Sequence, residues 1–368
     1  MSHIPSTARP SWSSRVAVGV RLFVERIFLR RKLDQVVRTL GGHIYFQTLT
    51  AAVRLDLFTR LTEKGPMTRG EIANELGLEE KPVRILLLGL VALGFLRKRG
   101  NRYAPESLAT RLFSRSSPDN ITAIVEWQHF INYRALYHFE SAIRANRNVG
   151  LEEFPGTEPT LYERLAHAPE LEDIFQRAMQ AISRQANDWL ARYVDFSDVQ
   201  LLVDVGGGNG ANIVRLARAN PTLRALVFDS PSVCEIARAN IASEKLEDRL
   251  DAVAGNCFVD PFPAGVDCIL FCHFFTIWSE DRNRELLRKA HAALPPGGTV
   301  MLFNMMQDDD ETGPLTAAMG SPYFLTLATG EGMLYTWSEY ETWVREAGFS
   351  AVYRRAFARN HGAIIGVK

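Results

Sequence analysis

The stretch Leu201-Leu202-Val203-Asp204-Val205-Gly206-Gly207-Gly208-Asn209-Gly210 decides the fold of this chain. Its first five residues are mostly leucine and valine, and they predict a buried strand. The glycines that follow predict a tight turn over which a ligand can touch the backbone, because a side chain there would block its approach. The helical spacing of apolar residues from Ile213 to Ala219 completes a unit of strand, turn and helix.

Strands and helices continue to alternate after this unit. We predict strands at Arg224 to Asp229, Leu250 to Ala254, Cys268 to Cys272 and Thr299 to Phe303. We predict helices among them at Val233 to Glu244 and Arg282 to Ala293. Alternation at this spacing is typical of an α/β fold with a doubly wound parallel sheet.

Two carboxylates flank the glycine turn. Asp229 ends the second strand, about 20 residues after the glycines, where a carboxylate can accept hydrogen bonds from ribose hydroxyls. Asp204 stands two positions before the first glycine and can reach a bound ammonium group. The ligand at this turn therefore does not need to carry a phosphate group. The turn and Asp229 together predict a site for a nucleoside.

A winged helix-turn-helix is predicted between residues 66 and 103. Thr68 and Glu71 have capping-box spacing, and Gly100-Asn101 offers a hairpin turn between two short strands. The second helix of this motif, Lys81 to Leu93, is apolar nearly all round. It therefore indicates burial in a dimer or domain interface rather than insertion into a DNA groove.

The composition is typical of a folded protein with more than one domain. Its 368 residues predict two domains, or one large domain with an appendage. Lys plus Arg and Asp plus Glu number 42 each, so no global field directs the protein to nucleic acid or to an anionic membrane. No apolar run is long enough to cross a bilayer, and the four cysteines lack metal-ligand spacing, as in a cytoplasmic protein with reduced thiols.

The N-terminus is basic. The first 32 residues hold seven Arg or Lys residues against one Glu. Apolar residues between Val16 and Leu29 have helical spacing, and charged residues interrupt them as in an amphipathic helix. Such a helix rests either on protein or on a membrane surface, and docking on protein is the commoner case.

The glycine turn, read as DVGGGNG at 204–210, resembles that of the S-adenosylmethionine-dependent small-molecule O-methyltransferases. This family is typified by plant caffeate methyltransferases and by bacterial polyketide and pigment methyltransferases. The resemblance covers nearly the whole chain from about Gly41 onward. It implies an N-terminal, mainly helical winged-helix dimerisation domain and a C-terminal class I Rossmann-like methyltransferase domain. We therefore expect a basic extension at 1–34, a dimerisation and substrate-pocket domain at 35–195, and an S-adenosylmethionine-binding domain at 196–368.

The resemblance also implies roles for individual residues. The methionine end of the cofactor would be held by Asp204, Gly206, Gly207, Gly208 and Gly210, and the ribose by Asp229. The remaining cofactor positions would be Asn256 and Cys257 beside the adenine, Cys272 in place of a family Lys or Arg, and Tyr162 near the cofactor's carboxylate. The substrate pocket would be lined by His129, Phe175, Met179, Thr276 and Tyr323. Ordinary helix core is the alternative for Phe175 and Met179, which are i, i+4 neighbours.

The catalytic positions depart from the family pattern. The family uses the histidine of a His-Asp-Trp segment, supported by two glutamates, to remove the acceptor's proton. This chain has Thr276-Ile277-Trp278 in that segment. The first glutamate position falls at Asn304 and the second near Leu334. Methyl transfer to carbon or nitrogen depends mainly on in-line positioning and needs less of a base, so that transfer to oxygen, carbon or nitrogen stays open.

His129 and His138, on the helix predicted from Ile121 to Asn146, are candidate relocated bases. A histidine satisfied on a helix face is the alternative for each of them. His273 is expected to be structural. The acidic run at 308–310 is expected to be a solvated loop, because adjacent carboxylates rarely converge on a metal, and we expect no metal site.

Together these observations predict a methyltransferase for a small, largely apolar acceptor of aromatic, pigment or polyketide type in secondary metabolism. We expect a cytoplasmic homodimer with no nucleic acid partner and no integral membrane association. One alternative is a winged-helix regulator that senses S-adenosylmethionine, which the apolar helix at 81–93 disfavours. Another is a relative that binds the cofactor without methylating, which the three changed catalytic positions favour.

Overall fold

The computed structural model describes residues 32–368, which form two compact units. One unit ends at Thr122, and the other comprises Ala123–Lys368. The predicted amphipathic helix of the basic extension lies outside the described residues. The helices between residues 123 and 195 belong to the same unit as the glycine turn. The domain boundaries expected at residues 34 and 195 stay predictions.

The first unit is helical with a three-stranded wing. Its helices are α1 (32–40), α2 (Gly42–Arg54), α3 (Leu57–Lys64), α4 (Arg69–Leu76), α5 (Glu80–Ala92) and α6 (Ser107–Phe113). Its strands are β1 (Met67–Thr68), β2 (Leu96–Arg99) and β3 (Arg102–Pro105), which pair antiparallel in the order β1-β3-β2. Thr68 and Glu71 form the predicted capping box at the start of α4. This order of elements is that of the predicted winged helix.

Helix α5 carries apolar residues on two sides. Val83, Leu87 and Leu90 are buried within the unit. Ile85 and Leu88 face outward and are 64% and 70% exposed. Further exposed apolar residues line α1 and the start of α2, namely Leu33, Val36, Val37, Leu40 and Ile44. Exposed apolar surface on this scale is typical of a protein interface.

A seven-stranded sheet forms the centre of the second unit. Its strands are β4 (Leu201–Val205), β5 (Arg224–Asp229), β6 (Leu250–Ala254), β7 (Cys268–Cys272), β8 (Thr299–Met305), β9 (Ala351–Ala356) and β10 (His361–Val367). They lie in the order β6-β5-β4-β7-β8-β10-β9. The first five in this order are parallel, and Val203 in β4 lies between Leu226 in β5 and Ile269 in β7. The predicted strands are thus confirmed, with β8 two residues longer than expected.

The sheet is mixed rather than wholly parallel, which corrects the sequence-based expectation. Strands β9 and β10 were not predicted, and β10 runs antiparallel to both β8 and β9. Strand β9 lies at the edge and exposes Arg354 and Arg355, so its sequence lacks the apolar run of a central strand. An antiparallel pair also needs no crossover helix between its strands. The alternation of strands and helices, on which the prediction depends, is therefore absent at this end of the sheet.

Helices cover both faces of this sheet. The helices of the second unit are α7 (Thr122–Trp127), α8 (Tyr133–Ala135), α9 (Phe139–Ala145), α10 (Leu161–Arg164), α11 (Pro169–Tyr193), α12 (Ala211–Ala219), α13 (Pro231–Ser243), α14 (Glu280–Ala293), α15 (Leu315–Tyr323) and α16 (Trp337–Glu346). Alternate strand residues point to opposite faces. Leu202 packs with α11, α12 and α13 on one face, and Val203 packs with α14 and α16 on the other.

A third core lies among the helices before the sheet and around α15. We call it the aromatic cluster; its main members are Trp127, Ile131, Phe154, Leu161, Phe175, Tyr323 and Leu327, with Phe130, Tyr162 and Met179 packed against them. Two π-helical turns border it, Gln128–Asn132 and Phe324–Ala328. The first interrupts the helix predicted from Ile121 to Asn146. Among the described helices none is long and apolar enough to span a membrane.

Candidate cofactor and acceptor site

The turn between β4 and α12 requires its glycines. Gly206, Gly208 and Gly210 have φ angles of +69°, +59° and +77°, in the left-handed region that residues with a Cβ rarely adopt. Space is also limited, since a Cβ on Gly206 would lie 2.5 Å from a ring carbon of Phe274. The backbone of the turn is therefore bare, as the sequence predicts for a ligand-binding loop.

Asp204 lies beneath this turn and is fully buried. One carboxylate oxygen lies 2.9 Å from the position of a Cβ on Gly207 and accepts a hydrogen bond from the Asn212 side chain at 3.1 Å. The other oxygen has no hydrogen-bond partner among the described residues. Burial, and to a lesser degree the charge of Asp229, raise the pKa of Asp204 to about 7. A buried carboxylate with an unpaired oxygen fits a cationic group such as an ammonium.

Asp229 joins the turn to the end of β5. Its carboxylate accepts hydrogen bonds from the backbone N–H of Gly208 at 3.1 Å and of Ser230 at 2.7 Å. Burial raises the pKa of Asp229, although these backbone hydrogen bonds oppose the shift. Asp204 and Asp229 thus both contact the glycine turn from the ends of β4 and β5, and their surroundings fit the ammonium and the ribose of S-adenosylmethionine.

Cys272 ends β7 on the same face of the sheet as Asp204. It is buried, and burial together with the charge of Asp204 raises the pKa of its thiol well above the usual range. The Asn212 side chain also faces this thiol. Cys272 is therefore a neutral neighbour of Asp204, where the family pattern has a cation.

Asn256 and Cys257 follow β6. The Asn256 side chain is turned to the local backbone and accepts a hydrogen bond from the N–H of Phe258 at 2.9 Å. Cys257 is half-buried, and desolvation raises the pKa of its thiol to about 12. Its carbonyl accepts a hydrogen bond from Lys289 at 2.6 Å. The predicted contact of these two residues with adenine stays a prediction.

Thr276 is buried in a short 3₁₀ turn, Phe275–Ile277, that follows β7. This turn is fastened to the segment 329–335. The Thr329 hydroxyl donates a hydrogen bond to the carbonyl of Ile277, and the Tyr335 hydroxyl donates one to the carbonyl of Trp278 at 2.7 Å. Phe274, one residue before the turn, packs against Gly206. The turn thus connects the glycine loop with the segment that follows the second π-helical turn.

The two positions of the family glutamates are also buried. Asn304 on β8 has no accessible surface, and neither its side-chain nitrogen nor its oxygen has a partner in the described chain. Leu334 is 3% exposed and its side chain packs against Gly320. With Thr276, these residues place no basic side chain at the three positions where the resemblance predicts the family's base and its supports.

The predicted pocket residues Phe175, Met179 and Tyr323 lie together with Tyr162 in the aromatic cluster. The rings of Tyr162 and Phe175 are 5.8 Å apart, and those of Trp127 and Tyr323 are 5.4 Å apart. Burial, and the neighbouring Tyr162, raise the pKa of Tyr323 well above its usual range. Sequence patterns gave no signal for Trp127, because a tryptophan on an apolar helix face looks like ordinary core.

Polar atoms inside this cluster lack partners. The Trp127 indole N–H, the Thr326 hydroxyl and the Asn132 side-chain oxygen are buried without a hydrogen bond in the described chain. Asn132 and Thr326 lie on the two π-helical turns, which are frequent at functional sites. An aromatic pocket with a few unpaired polar groups is the usual composition of a small-molecule site.

The candidate relocated bases occupy different surroundings. His138 Nε2 lies 2.9 Å from a carboxylate oxygen of Glu153, within hydrogen-bond distance. His129 lies on the first π-helical turn, half-buried, with its ring 4.7 Å from that of Phe130. Their catalytic roles stay predictions. His273 is half-buried beside His361, and desolvation lowers its pKa to about 3, so it is neutral at physiological pH.

The acidic run at 308–310 serves local structure. Asp309 accepts hydrogen bonds from the backbone and hydroxyl of Ser338 and pairs with Arg354. Asp310 accepts hydrogen bonds from the backbone and hydroxyl of Thr312. Within residues 32–368, no group of three His, Cys, Asp or Glu residues is placed to hold a metal ion.

Comparisons with known proteins agree with this geometry. The model of an O-methyltransferase dimerisation domain matches residues 37–115, and that of an O-methyltransferase domain matches residues 136–350. The chain is 36% identical over 336 residues to L-tyrosine C(3)-methyltransferase of Streptomyces lavendulae, covering 89% of this chain and 91% of that protein. It is 34% identical over 324 residues to 3-hydroxy-5-methyl-1-naphthoate 3-O-methyltransferase of Streptomyces sahachiroi, with 88% and 91% covered.

Solved structures give the same result. The S-adenosylmethionine-dependent methyltransferase SibL is 41% identical with a TM-score of 0.81, over 91% of this chain and 99% of SibL. Human N-acetylserotonin methyltransferase, solved with S-adenosylmethionine, is 25% identical with a TM-score of 0.80, over 92% and 97%. These relatives support the enzyme rather than the regulator or the non-methylating alternative. The chain belongs to the O-methyltransferase family, and it is an S-adenosylmethionine-dependent methyltransferase.

Proposed function

We propose that the enzyme methylates a ring carbon of a small phenolic acceptor. The observation that carries this proposal is the set of buried, non-basic residues Thr276, Asn304 and Leu334 at the positions of the family's base and its supports. Transfer to a phenolic oxygen is accelerated by removal of the hydroxyl proton, which these residues cannot perform near neutral pH. The L-tyrosine C(3)-methyltransferase of Streptomyces lavendulae is a carbon methyltransferase by name, which supports the same chemistry.

In this proposal the cofactor is held at the glycine turn. Asp204 pairs with its ammonium group, Asp229 binds its ribose hydroxyls, and the backbone of residues 206–210 lies against it. When bound, S-adenosylmethionine supplies a methyl group on a positively charged sulfur. Because Asp204 is buried and its pKa is raised, pairing with a cation stabilises its ionised form.

The acceptor is held in the aromatic cluster. Phe175, Tyr162 and Tyr323 offer ring faces and edges to a flat acceptor, while the Thr326 hydroxyl and the Trp127 indole N–H lack partners. A ring carbon next to a phenolic hydroxyl is electron-rich, so it can form the new carbon–carbon bond when it lies in line with the methyl group. As this bond forms, the bond between the methyl group and sulfur breaks and neutral S-adenosylhomocysteine is left. The ring then loses its hydrogen at that carbon as a proton to solvent water and becomes aromatic again.

Incubation with S-adenosylmethionine labelled with ¹³C in the methyl group tests the proposal. The acceptors are L-tyrosine and 3-hydroxy-5-methyl-1-naphthoate, the compounds that the names of two relatives give. Nuclear magnetic resonance separates a methyl group on a ring carbon from one on oxygen or nitrogen. We expect the ring-carbon product. Labelled methyl on oxygen or nitrogen with any acceptor of the panel would contradict the proposal.

We further propose that the enzyme is a homodimer assembled through the first unit. The dimerisation-domain match and the exposed apolar residues of α1, α2 and α5 support this assembly. A cytoplasmic location is proposed on the four free cysteines.

A further inference from the structure

We propose that Arg282 is a positioning residue that couples the cofactor side of the site to the segment 329–335 through Glu331. The proposal rests on the proposed function in one respect, since it takes the aromatic cluster as the acceptor pocket. It concerns two residues to which neither the family pattern nor the sequence analysis assigns a role.

Arg282 lies in the first turn of α14 and contacts two aromatic rings at once. Its guanidinium carbon is 4.8 Å from the ring centre of Phe258 and 5.2 Å from that of Trp278. The two rings are themselves in edge-to-face contact at 4.8 Å. Phe258 follows the residues predicted to border adenine, and Trp278 follows the turn of Thr276. The position of the guanidinium therefore depends on the positions of two rings on the predicted cofactor side of the site.

The same side chain reaches the acceptor side. Arg282 Nε lies 2.9 Å from a carboxylate oxygen of Glu331, in the segment 329–335. This segment directly follows the π-helical turn Phe324–Ala328, whose Leu327 belongs to the aromatic cluster. Arg282 therefore bridges the predicted adenine border and the chain that leaves the predicted acceptor pocket.

The segment 329–335 is closely fitted to the turn of Thr276. A Cβ on Gly332 would lie 2.5 Å from the carbonyl carbon of Ile277, so that the two backbones are in direct contact. The hydrogen bonds from Thr329 to Ile277 and from Tyr335 to Trp278 hold both ends of the segment. A shift of Glu331 is therefore transmitted to the backbone around Thr276.

Arginine suits this task better than lysine. Its planar guanidinium can lie on aromatic faces and donate to a carboxylate at the same time, whereas an ammonium group acts as a point charge. The Arg282 and Glu331 side chains are 43% and 33% exposed. An ion pair as exposed as this contributes little to stability, so its effect is on the geometry of the segment and not on the fold.

Binding of the cofactor then has a defined consequence. A ligand that packs against Phe258 or Trp278 restricts these rings, and the rings restrict the guanidinium that lies on them. Glu331 and the segment 329–335 become ordered in turn, and the acceptor meets a pocket wall that is already in place. Thermodynamic linkage makes the coupling reciprocal, so acceptor binding must tighten cofactor binding by the same factor.

Hydrogen–deuterium exchange of the full chain, with and without saturating S-adenosylhomocysteine, tests the coupling. In the wild-type protein we expect amide exchange to slow at least about threefold in both 206–210 and 329–335. In Arg282→Gln and in Glu331→Gln we expect slowing at 206–210 alone. Arg282→Lys should give an intermediate result, and the double variant should resemble either single variant, since each removes the same contact.

Arg284→Gln is the matched control. Arg284 lies on the same helix, stacks on Trp343 at 5.7 Å and pairs with Glu280 and Glu346, but its partners lie outside the segment 329–335. Its exchange pattern should equal that of the wild-type protein. A second readout is kinetic: Arg282→Gln should raise the KM for the acceptor about three- to tenfold and change kcat less than twofold.

Wild-type protein that binds S-adenosylhomocysteine without slowing of exchange at 329–335 would overturn the coupling. Equal slowing in Arg282→Gln and wild-type protein would also overturn it. These outcomes are separate from the identity of the acceptor, since no acceptor is present in the exchange experiment. Transfer of the methyl group to oxygen would contradict the proposed function and leave the exchange result unaffected.

Discussion

The backbone carbonyl of Thr276 occupies the space that a side chain on Gly332 would need. Because the obstructing atoms belong to the backbone, they cannot swing aside, and Gly332→Ala must move the turn of Thr276 or the segment 329–335. We expect a loss of stability of about 1–3 kcal/mol, the usual cost of overpacking. We also expect kcat/KM for the acceptor to fall at least about tenfold, as displaced positioning groups cause. Thermal unfolding and steady-state kinetics measure the two effects.

Gly42→Ala is the control for this substitution, since a Cβ there meets no atom within 4 Å. It should leave both stability and kcat/KM within error of the wild-type values. Wild-type kinetics in Gly332→Ala would show that the contact between the two backbones has no bearing on catalysis.

The Asp229 carboxylate is predicted to bind the ribose of the cofactor. Asp229→Ala should weaken binding of S-adenosylmethionine by about 1.5–3 kcal/mol, the usual contribution of hydrogen bonds to a charged acceptor. Isothermal titration calorimetry measures the change. Asp251→Ala removes an exposed carboxylate of the neighbouring strand that pairs with Arg238, and it should leave the dissociation constant unchanged. Equal affinities in all three proteins would place the ribose site elsewhere.

Much of the cofactor half could be predicted from the sequence, because its signals are local. A strand buried on both faces is an apolar run, and a turn with left-handed residues needs glycine at Gly206, Gly208 and Gly210. The bounds of β4, β5, β6 and β7 follow from these patterns. The antiparallel pair β9 and β10 could not be predicted in the same way, because the edge strand β9 carries Arg354 and Arg355 and has no apolar run to mark it.

The structure of the acceptor half depends less on short sequence patterns and more on contacts between distant parts of the chain. The π-helical turns Gln128–Asn132 and Phe324–Ala328 have no sequence signature, since the extra residue in each turn is stabilised by tertiary packing. Arg282 and Glu331 lie 49 positions apart in the sequence, and they meet only when the segment 329–335 folds onto α14. Phe175 and Tyr323 were placed by resemblance to the family, and the structure brings them into one cluster.

The half-buried His273 should make stability depend on pH. Burial, and next the neighbouring His361, lower its pKa from 6.5 to about 3 in the folded protein. Between these values the unfolded chain binds the extra proton, so stability is fully present above about pH 6.5 and is lost as the pH falls toward 3. The slope for one such group is about 1.4 kcal/mol per pH unit.

Urea unfolding at pH 7 and pH 5 measures this slope. His273→Asn cannot titrate in this range and should show a shallower dependence than the wild-type protein. His43→Asn, at an exposed position of α2, is the control and should retain the wild-type slope. Equal slopes in wild-type protein and His273→Asn would mean that folding does not lower the pKa of His273.

Leu88 is predicted to lie in the dimer interface. Its side chain is 70% exposed in the isolated unit, and a charge there would have to be buried on association. Leu88→Glu should therefore shift the protein toward a mass near the 41.3 kDa monomer in light scattering at micromolar concentration. Leu315→Glu changes a residue of the second unit that is 85% exposed and should leave the dimer intact. A monomeric wild-type protein would contradict the proposed assembly.

Thr276 stands where the family has its base, and it cannot take up a proton near neutral pH. We therefore expect kcat to be nearly independent of pH between 6 and 9, and Thr276→Ala to cost less than about tenfold, the value of one hydrogen bond. If His129 or His138 acts as a relocated base, kcat falls on the acid side and replacement of that histidine by Gln costs about a hundredfold or more. His138 is already paired with Glu153, so His138→Gln separates a structural role from a chemical one through the pH profile. Complete loss of activity in Thr276→Ala, with unchanged cofactor affinity, would show that this threonine takes part in the chemistry.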